Sequence, residues 1–145
     1  MRRMVLMVGV TVLGLALASP GLATLGARQH DDTLHEAMEK VGPAFGMLRK
    51  SMDGMNANMA SESAATLKQA FTETEAAFKA MDKADAVEWA QGAGKAAGTI
   101  QSQVGAGNWD AAKGTVGELG KFCQGCHGKY REKGEDGKWR LKPGI

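Results

Sequence analysis

The chain has 145 residues and a formal net charge of +2, with 43% hydrophobic and 23% charged residues. This length predicts one domain, and the arginines at positions 2 and 3 account for the whole excess of positive charge. Since the rest of the chain is balanced in charge and lacks the basic stripe of nucleic-acid-binding proteins, we expect no nucleic-acid partner.

The N-terminus has the features of a secretory signal peptide. A positively charged start is followed by an apolar run over residues 5–18 and by small-residue cleavage sites that end at Ala18 and Ala23. We predict a signal peptide over residues 1–23, a mature domain over residues 24–145, and a periplasmic location. The apolar run is shorter than the roughly 20 residues of a membrane span, so we expect no span in the mature chain. An uncleaved anchor is the alternative.

The first predicted helix covers about residues 32–52. Its apolar residues recur at spacings of 4, 3, 4, 3 and 4, which is typical of a helix with one buried seam. These residues are Leu34, Met38, Val41, Phe45, Leu48 and Met52. We expect Asp31 or Asp32 to cap the helix and Pro43 to kink it without ending it.

Three further helices are predicted, and they cover about residues 62–81, 86–104 and 109–133. Asp85 and Asn108 are placed to cap the last two helices, and residues 56–61 are expected to form a loop. No segment alternates for long enough to indicate a strand, and a short tail follows the last helix. The sequence therefore predicts an all-α fold, an antiparallel bundle of four helices joined by short connections.

The last predicted helix carries Cys123-Gln124-Gly125-Cys126-His127, and Cys-x-x-Cys-His is the attachment signature of a c-type haem. Each thiol adds to one vinyl group of the porphyrin, and the adjacent imidazole binds the iron. Residues at positions i, i+3 and i+4 of a helix share one face, so all three side chains would meet the same ring. We therefore predict one covalently bound haem c, with His127 as the proximal iron ligand.

The cysteine pair taken alone has other interpretations. It is also compatible with a redox dithiol, a disulfide or half of a zinc site. A structural zinc would need four ligands, and the other histidines, His30 and His35, lie in no paired motif. No strand pattern precedes the cysteines, as a thioredoxin-like site would require.

In layout the chain resembles the class II c-type cytochromes, the cytochrome c′ family, which are four-helix bundles with this motif near the C-terminus. Tyr130 and Arg131 after the motif are similar to the family's C-terminal pattern, and the resemblance implies that Arg131 lies on the proximal side of the haem. It also implies that Met38, four residues before Gly42, covers the distal side. The family often has an arginine where this chain has Leu34, and the C-terminal tail is longer here.

The function that this resemblance implies depends on Met38. If its thioether binds the iron, the protein carries single electrons; if Met38 only packs in the seam, an open sixth site binds nitric oxide or carbon monoxide. His35 is a less favoured sixth ligand. We recognise no distal His–Arg pair that would polarise peroxide, and therefore expect no enzyme.

Partners are predicted from chemistry and from charge. Export and covalent haem imply a haem-attachment machinery, electron transfer implies redox partner proteins, and the family resemblance implies a homodimer. Residues 128–142 contain six basic and three acidic side chains, whereas residues 53–88 contain seven acidic and three basic ones. A basic patch beside the haem motif is expected to steer an acidic redox partner.

Overall fold

The computed structural model describes residues 20–145, with side chains from Asp32 onward. Four helices follow one another, and a two-stranded antiparallel hairpin ends the chain. The elements are α1 (Pro20–Asp53), α2 (Ala57–Ala80), α3 (Ala84–Gly105), α4 (Trp109–Tyr130), β1 (Arg131–Lys133) and β2 (Trp139–Leu141). The prediction of an all-α bundle of four helices is confirmed, whereas most of the predicted signal peptide, residues 1–23, lies outside the described residues.

Helix α1 has the predicted buried seam but not the predicted start. Leu34, Val41 and Leu48 are buried, and the helix continues through Pro43. The helix also includes Asp31 and Asp32, so the prediction that one of them caps it was wrong. The helix instead begins at Pro20, and proline is well tolerated in the first turn of a helix.

Helix α2 begins earlier than the sequence predicted. Asn56 is its N-cap, and its side-chain oxygen accepts a 3.0 Å hydrogen bond from the backbone N–H of Met59. The loop predicted over residues 56–61 was therefore wrong, because an asparagine cap at this position satisfies a free N–H of the first turn. Asn108 caps α4 in the same way, as predicted, by accepting from the N–H of Ala111.

The chain after α4 also differs from the prediction. Helix α4 ends at Tyr130, because Arg131 is extended (φ −112°, ψ 139°) and starts β1. Strand β2 pairs with it in a register that places Arg131 opposite Leu141. Gly137, at φ +76°, lies in the turn between the two strands, and glycine adopts this conformation without strain. Each strand has only three residues, too few for a recognisable alternation.

Packing in the bundle follows chain order, and it produces two apolar clusters. Helices α1 and α2, α2 and α3, and α3 and α4 pack along their lengths, whereas α1 and α4 touch only sparsely. The larger cluster centres on Leu48, Leu67, Ile100 and Leu119. The smaller cluster lies at the end of the bundle that carries the hairpin and contains Leu34, Phe78 and Tyr130. No helix within residues 20–145 is long and apolar enough to cross a membrane.

Helices α3 and α4 interlock through two glycines. A Cβ atom on Gly92 would lie 2.5 Å from the Phe122 ring, and one on Gly125 would lie 3.2 Å from the Trp89 ring. Each aromatic ring therefore occupies the space that a side chain on the opposite helix would need. This interlock sets the depth at which the cysteine motif of α4 sits against α3.

Substituting glycines within α3 tests the interlock. Gly92→Ala should lower the free energy of unfolding by about 1–3 kcal/mol, because the new methyl group displaces the Phe122 ring. Gly98→Ala is the matched control: its Cβ would meet nothing within 4 Å, so this variant should gain about 0.5–1 kcal/mol from helix propensity alone. Urea unfolding of both variants measures the two effects. Equal stabilisation by both substitutions would show that Gly92 and Phe122 are not in contact.

Candidate functional site

A cavity of about 480 Å³ opens between α1, the last turn of α4 and the C-terminal hairpin. Its volume lies within the range of about 300–1,000 Å³ that is typical of cofactor sites. Apolar atoms provide most of the lining surface, and six of the thirteen lining side chains are apolar or aromatic: Leu34, Met38, Phe78, Tyr130, Trp139 and Leu141. Charged or polar side chains join them at His35, Glu39, Cys126, His127, Arg131, Lys138 and Arg140.

The last turn of α4 brings Cys126 and His127 to this cavity, and Arg131 joins them from the first position of β1. Cys126 and His127 are partly buried, and Cys126 also packs against the smaller apolar cluster. Cys123, one turn earlier, does not line the cavity but packs against the larger cluster. Two of the three motif side chains therefore line the cavity, and the third packs against the larger apolar cluster.

Met38 reaches the same cavity from α1. It is partly buried, and it also packs against the larger cluster that Cys123 contacts. The structure therefore brings the predicted distal residue and His127 to one cavity from two different helices. His35 lines the cavity as well, but its Nε2 lies 3.3 Å from a carboxylate oxygen of Glu39 and its side chain is 68% exposed.

The surroundings of His127 favour its neutral form. Burial lowers the pKa of His127, and the nearby positive charge of Arg131 lowers it further. The Nη1 atom of Arg131 lies 3.4 Å from Nδ1 of His127, and its guanidinium carbon lies 4.2 Å from the centre of the Trp139 ring. Because a metal binds only an unprotonated imidazole nitrogen, the lowered pKa favours the form of His127 that can act as a ligand.

Both thiols stay protonated at neutral pH. Burial raises the pKa of Cys123, and it raises the pKa of Cys126 to about 11, with smaller contributions from Cys123 and Asp85. A redox dithiol works through a thiolate whose pKa is lowered, so these cysteines differ from that class of site. Within the described residues, His, Cys, Asp and Glu side chains form no group of three that would hold a metal ion.

The donor set and the lining fit a covalently attached haem. Two thiols one helical turn apart, a neutral imidazole beside the second thiol and a methionine on another helix are the groups that such a cofactor uses. The apolar lining suits the faces of a porphyrin, and the cationic side chains of Arg131, Lys138 and Arg140 suit its carboxylates. The residues present are therefore compatible with this cofactor.

An acidic side chain on α3 holds the end of α4 in place. The Asp85 carboxylate accepts hydrogen bonds from the Tyr130 hydroxyl and, at 2.5 Å, from the Lys129 ammonium. The Tyr130 ring packs against Phe78 and Trp89, with ring centroids 5.4 and 6.3 Å away.

Asp85 was predicted to cap α3, and that prediction was wrong. Lys83 occupies the N-cap position, and the Asp85 side chain, in the first turn of α3, forms hydrogen bonds to α4 instead.

Sequence reasoning also missed the hairpin residues of the cavity. Trp139, Arg140 and Leu141 line it from β2, although the chain was expected to end in a tail. Their only sequence signal was the basic charge near the motif. Nothing local indicated that this segment folds back over the cavity.

Comparison with known proteins adds no relative. Searches against family models, characterised proteins and solved structures each find no match to this chain.

Replacing Asp85 tests the junction between α3 and α4. The bonds from Lys129 and then from Tyr130 lower the pKa of Asp85 to about 2, from an ordinary value of 3.8. A carboxylate with a lowered folded-state pKa stabilises the fold above pH 4, and this stabilisation is lost as the pH falls from about 4 to 2. Asp85→Asn should therefore unfold more easily than wild type at pH 7 but not at pH 2, as measured by urea unfolding across this range.

Asp110→Asn is the control for this experiment. Asp110 occupies the first turn of α4 as Asp85 does that of α3, and it takes part in none of the ion pairs found from residue 32 onward. Its replacement should leave the pH profile nearly unchanged. Parallel profiles for wild type and Asp85→Asn would contradict the assigned role of Asp85.

Proposed function

We propose that this protein is an exported monohaem c-type cytochrome that carries single electrons. Cys123 and Cys126 hold the haem through thioether bonds, His127 is the proximal iron ligand, and Met38 is the distal ligand. One observation carries the proposal: Met38 from α1 and His127 from α4 line the same cavity, together with Cys126. A histidine–methionine pair is a known mode of haem ligation in electron carriers.

When bound, haem iron supplies the one-electron couple, and the chain supplies ligands that packing holds in place. Met38 stands in the α1 seam between the buried residues Leu34 and Val41, so its position follows from core packing. His127 lies in a helix whose end is held by Asp85 and Tyr130. Ligands that packing holds in place move little when the charge on the iron changes, and this favours rapid electron transfer.

The cavity lining also affects the redox potential. Phe78, Tyr130 and Leu141 place apolar surface around the ligands, and an apolar surrounding disfavours the more highly charged ferric state. A thioether ligand raises the potential in the same direction. Both features support a carrier that accepts electrons readily.

The remaining parts of the proposal concern architecture and partners. The four helices are proposed to run antiparallel, as short connections between long helices favour. The protein is proposed to act in the periplasm, to receive haem from an attachment machinery, and to dock an acidic redox partner at its basic C-terminal region. A homodimer remains part of the proposal through the family resemblance alone.

A gas-binding haem protein is the second candidate. Met38 packs against the larger apolar cluster, so packing alone accounts for its position. In that case the sixth site would stay open, and Met38 would limit the size of the molecule that enters. Nitric oxide or carbon monoxide would then be the ligand.

Covalent attachment is tested first. In cells with a working haem-attachment system, the mature chain should carry one haem that survives acid–acetone extraction. Mass spectrometry should place it on the peptide with Cys123 and Cys126, and the double variant Cys123→Ala, Cys126→Ala should lose it. Isolation of the wild type with zinc and without haem would refute the proposal.

The distal ligand is tested with Met38→Ala. Wild type should be six-coordinate and low-spin, with the weak long-wavelength absorption of sulfur-to-ferric charge transfer, and should bind carbon monoxide slowly. Met38→Ala should be high-spin and bind carbon monoxide rapidly, because the site is then open. Met47→Ala is the control, since Met47 lies on the same helix with 48% of its surface exposed and should leave both properties unchanged.

The same spectra distinguish the two candidate functions. A wild type that is already high-spin and binds carbon monoxide as rapidly as Met38→Ala would refute ligation by Met38. The gas-binding function would then replace electron transfer.

A further inference from the structure

From Asp32 onward, where its side chains are described, the N-terminal helix provides no arginine or lysine to the cavity. Leu34 occupies the position where the resembling family often has an arginine, and it is buried in the smaller apolar cluster. The other cavity residues of α1 are His35, Met38 and Glu39, and Glu39 is negatively charged. The cations of the cavity lining instead come from the C-terminal end of the chain, at Arg131, Lys138 and Arg140.

The hairpin places two of these cations by backbone geometry. Strand β1 continues directly from α4, and β2 returns beside it with Glu132 opposite Arg140. The amide of Lys142 donates a 2.9 Å hydrogen bond to the Tyr130 carbonyl, which ties the end of β2 to the end of α4. At the turn, the carbonyl of Lys138 accepts from the Gly134 amide at 2.8 Å, and the Lys138 amide donates to Asp136 at 3.0 Å.

Lys138 and Arg140 keep donors available for a further anion. Arg140 bonds Glu132 through Nε alone, at 3.3 Å, and that pair does not involve its two Nη groups. The Lys138 ammonium takes part in none of the ion pairs found in residues 32–145. The acidic residue that lines the cavity, Glu39, contacts His35 on its own helix. The hairpin side of the cavity is therefore positively charged.

We propose that the hairpin is a carboxylate clamp in which Lys138 and Arg140 bind the two haem propionates. This inference rests on the proposed function, because it assigns residues to that same cofactor. Propionates are ionised at neutral pH, so cationic side chains are their complementary partners. A guanidinium offers paired N–H groups to a carboxylate, and an ammonium binds one as a point charge.

Charge at the propionates has a measurable electronic effect. A cation beside them offsets their negative charge, which otherwise favours the ferric state. Lys138→Gln and Arg140→Gln should each lower the midpoint potential of the attached haem and shift the propionate bending band in the resonance Raman spectrum. Lys138→Arg should restore both values toward wild type, since it restores the charge.

Lys133→Gln is the matched control. Lys133 lies on the same hairpin, is exposed and does not line the cavity, so its replacement removes one charge at a distance from the cofactor. It should leave the Raman band in place and change the potential less than Lys138→Gln does. A difference between the two lysine variants cannot come from net charge alone.

The outcomes separate the clamp from the function on which it rests. A wild-type chain that carries no haem refutes the proposed function. A haem-loaded chain in which Lys138→Gln and Arg140→Gln both match Lys133→Gln in potential and Raman band overturns the clamp and leaves the function standing. If the Lys138→Gln variant changes only the salt dependence of electron transfer to an acidic partner, Lys138 belongs to a docking surface and the clamp is wrong.

Discussion

The bond between the Asp85 carboxylate and the Tyr130 hydroxyl is the contact on which the candidate site depends. It joins the first turn of α3 to the last residue of α4, and Lys129 reinforces it. His127 lies one turn before this contact, and Arg131 and the hairpin follow it directly. Without it, the last turn of α4 would be free to fray, as helix ends do, and the cavity would lose its most polar wall.

The cavity itself results from uneven packing between α1 and α4. The two helices approach at Phe45, whose ring lies 3.9 Å from where a Cβ of Gly120 would stand. Nearer the hairpin, Met38 on α1 and His127 on α4 line the cavity. The approach at Phe45 lies at the larger apolar cluster, and the cavity lies beside the smaller one.

The features that could be predicted from the sequence are those that depend on residues close together in the chain. The seam from Leu34 to Met52 repeats with helical spacing, so α1 and its buried face could be predicted, and the cysteine–histidine motif is contiguous in the chain. Asp85 looked like a cap because capping is a local role, whereas its actual partners lie more than 40 residues away. The hairpin was missed because three-residue strands carry no periodicity, and only the folded chain shows that they line the cavity.

The central claim is that Met38 and His127 bind the two faces of one covalently attached haem. The most direct test is an NMR spectrum of the reduced protein with ¹³C-labelled methionine methyl groups. An iron-bound methionine lies against the porphyrin face, so its methyl resonance should be displaced far upfield by the ring current and should disappear in Met38→Leu. A haem-loaded protein in which every methionine methyl resonates at an ordinary position would contradict the claim.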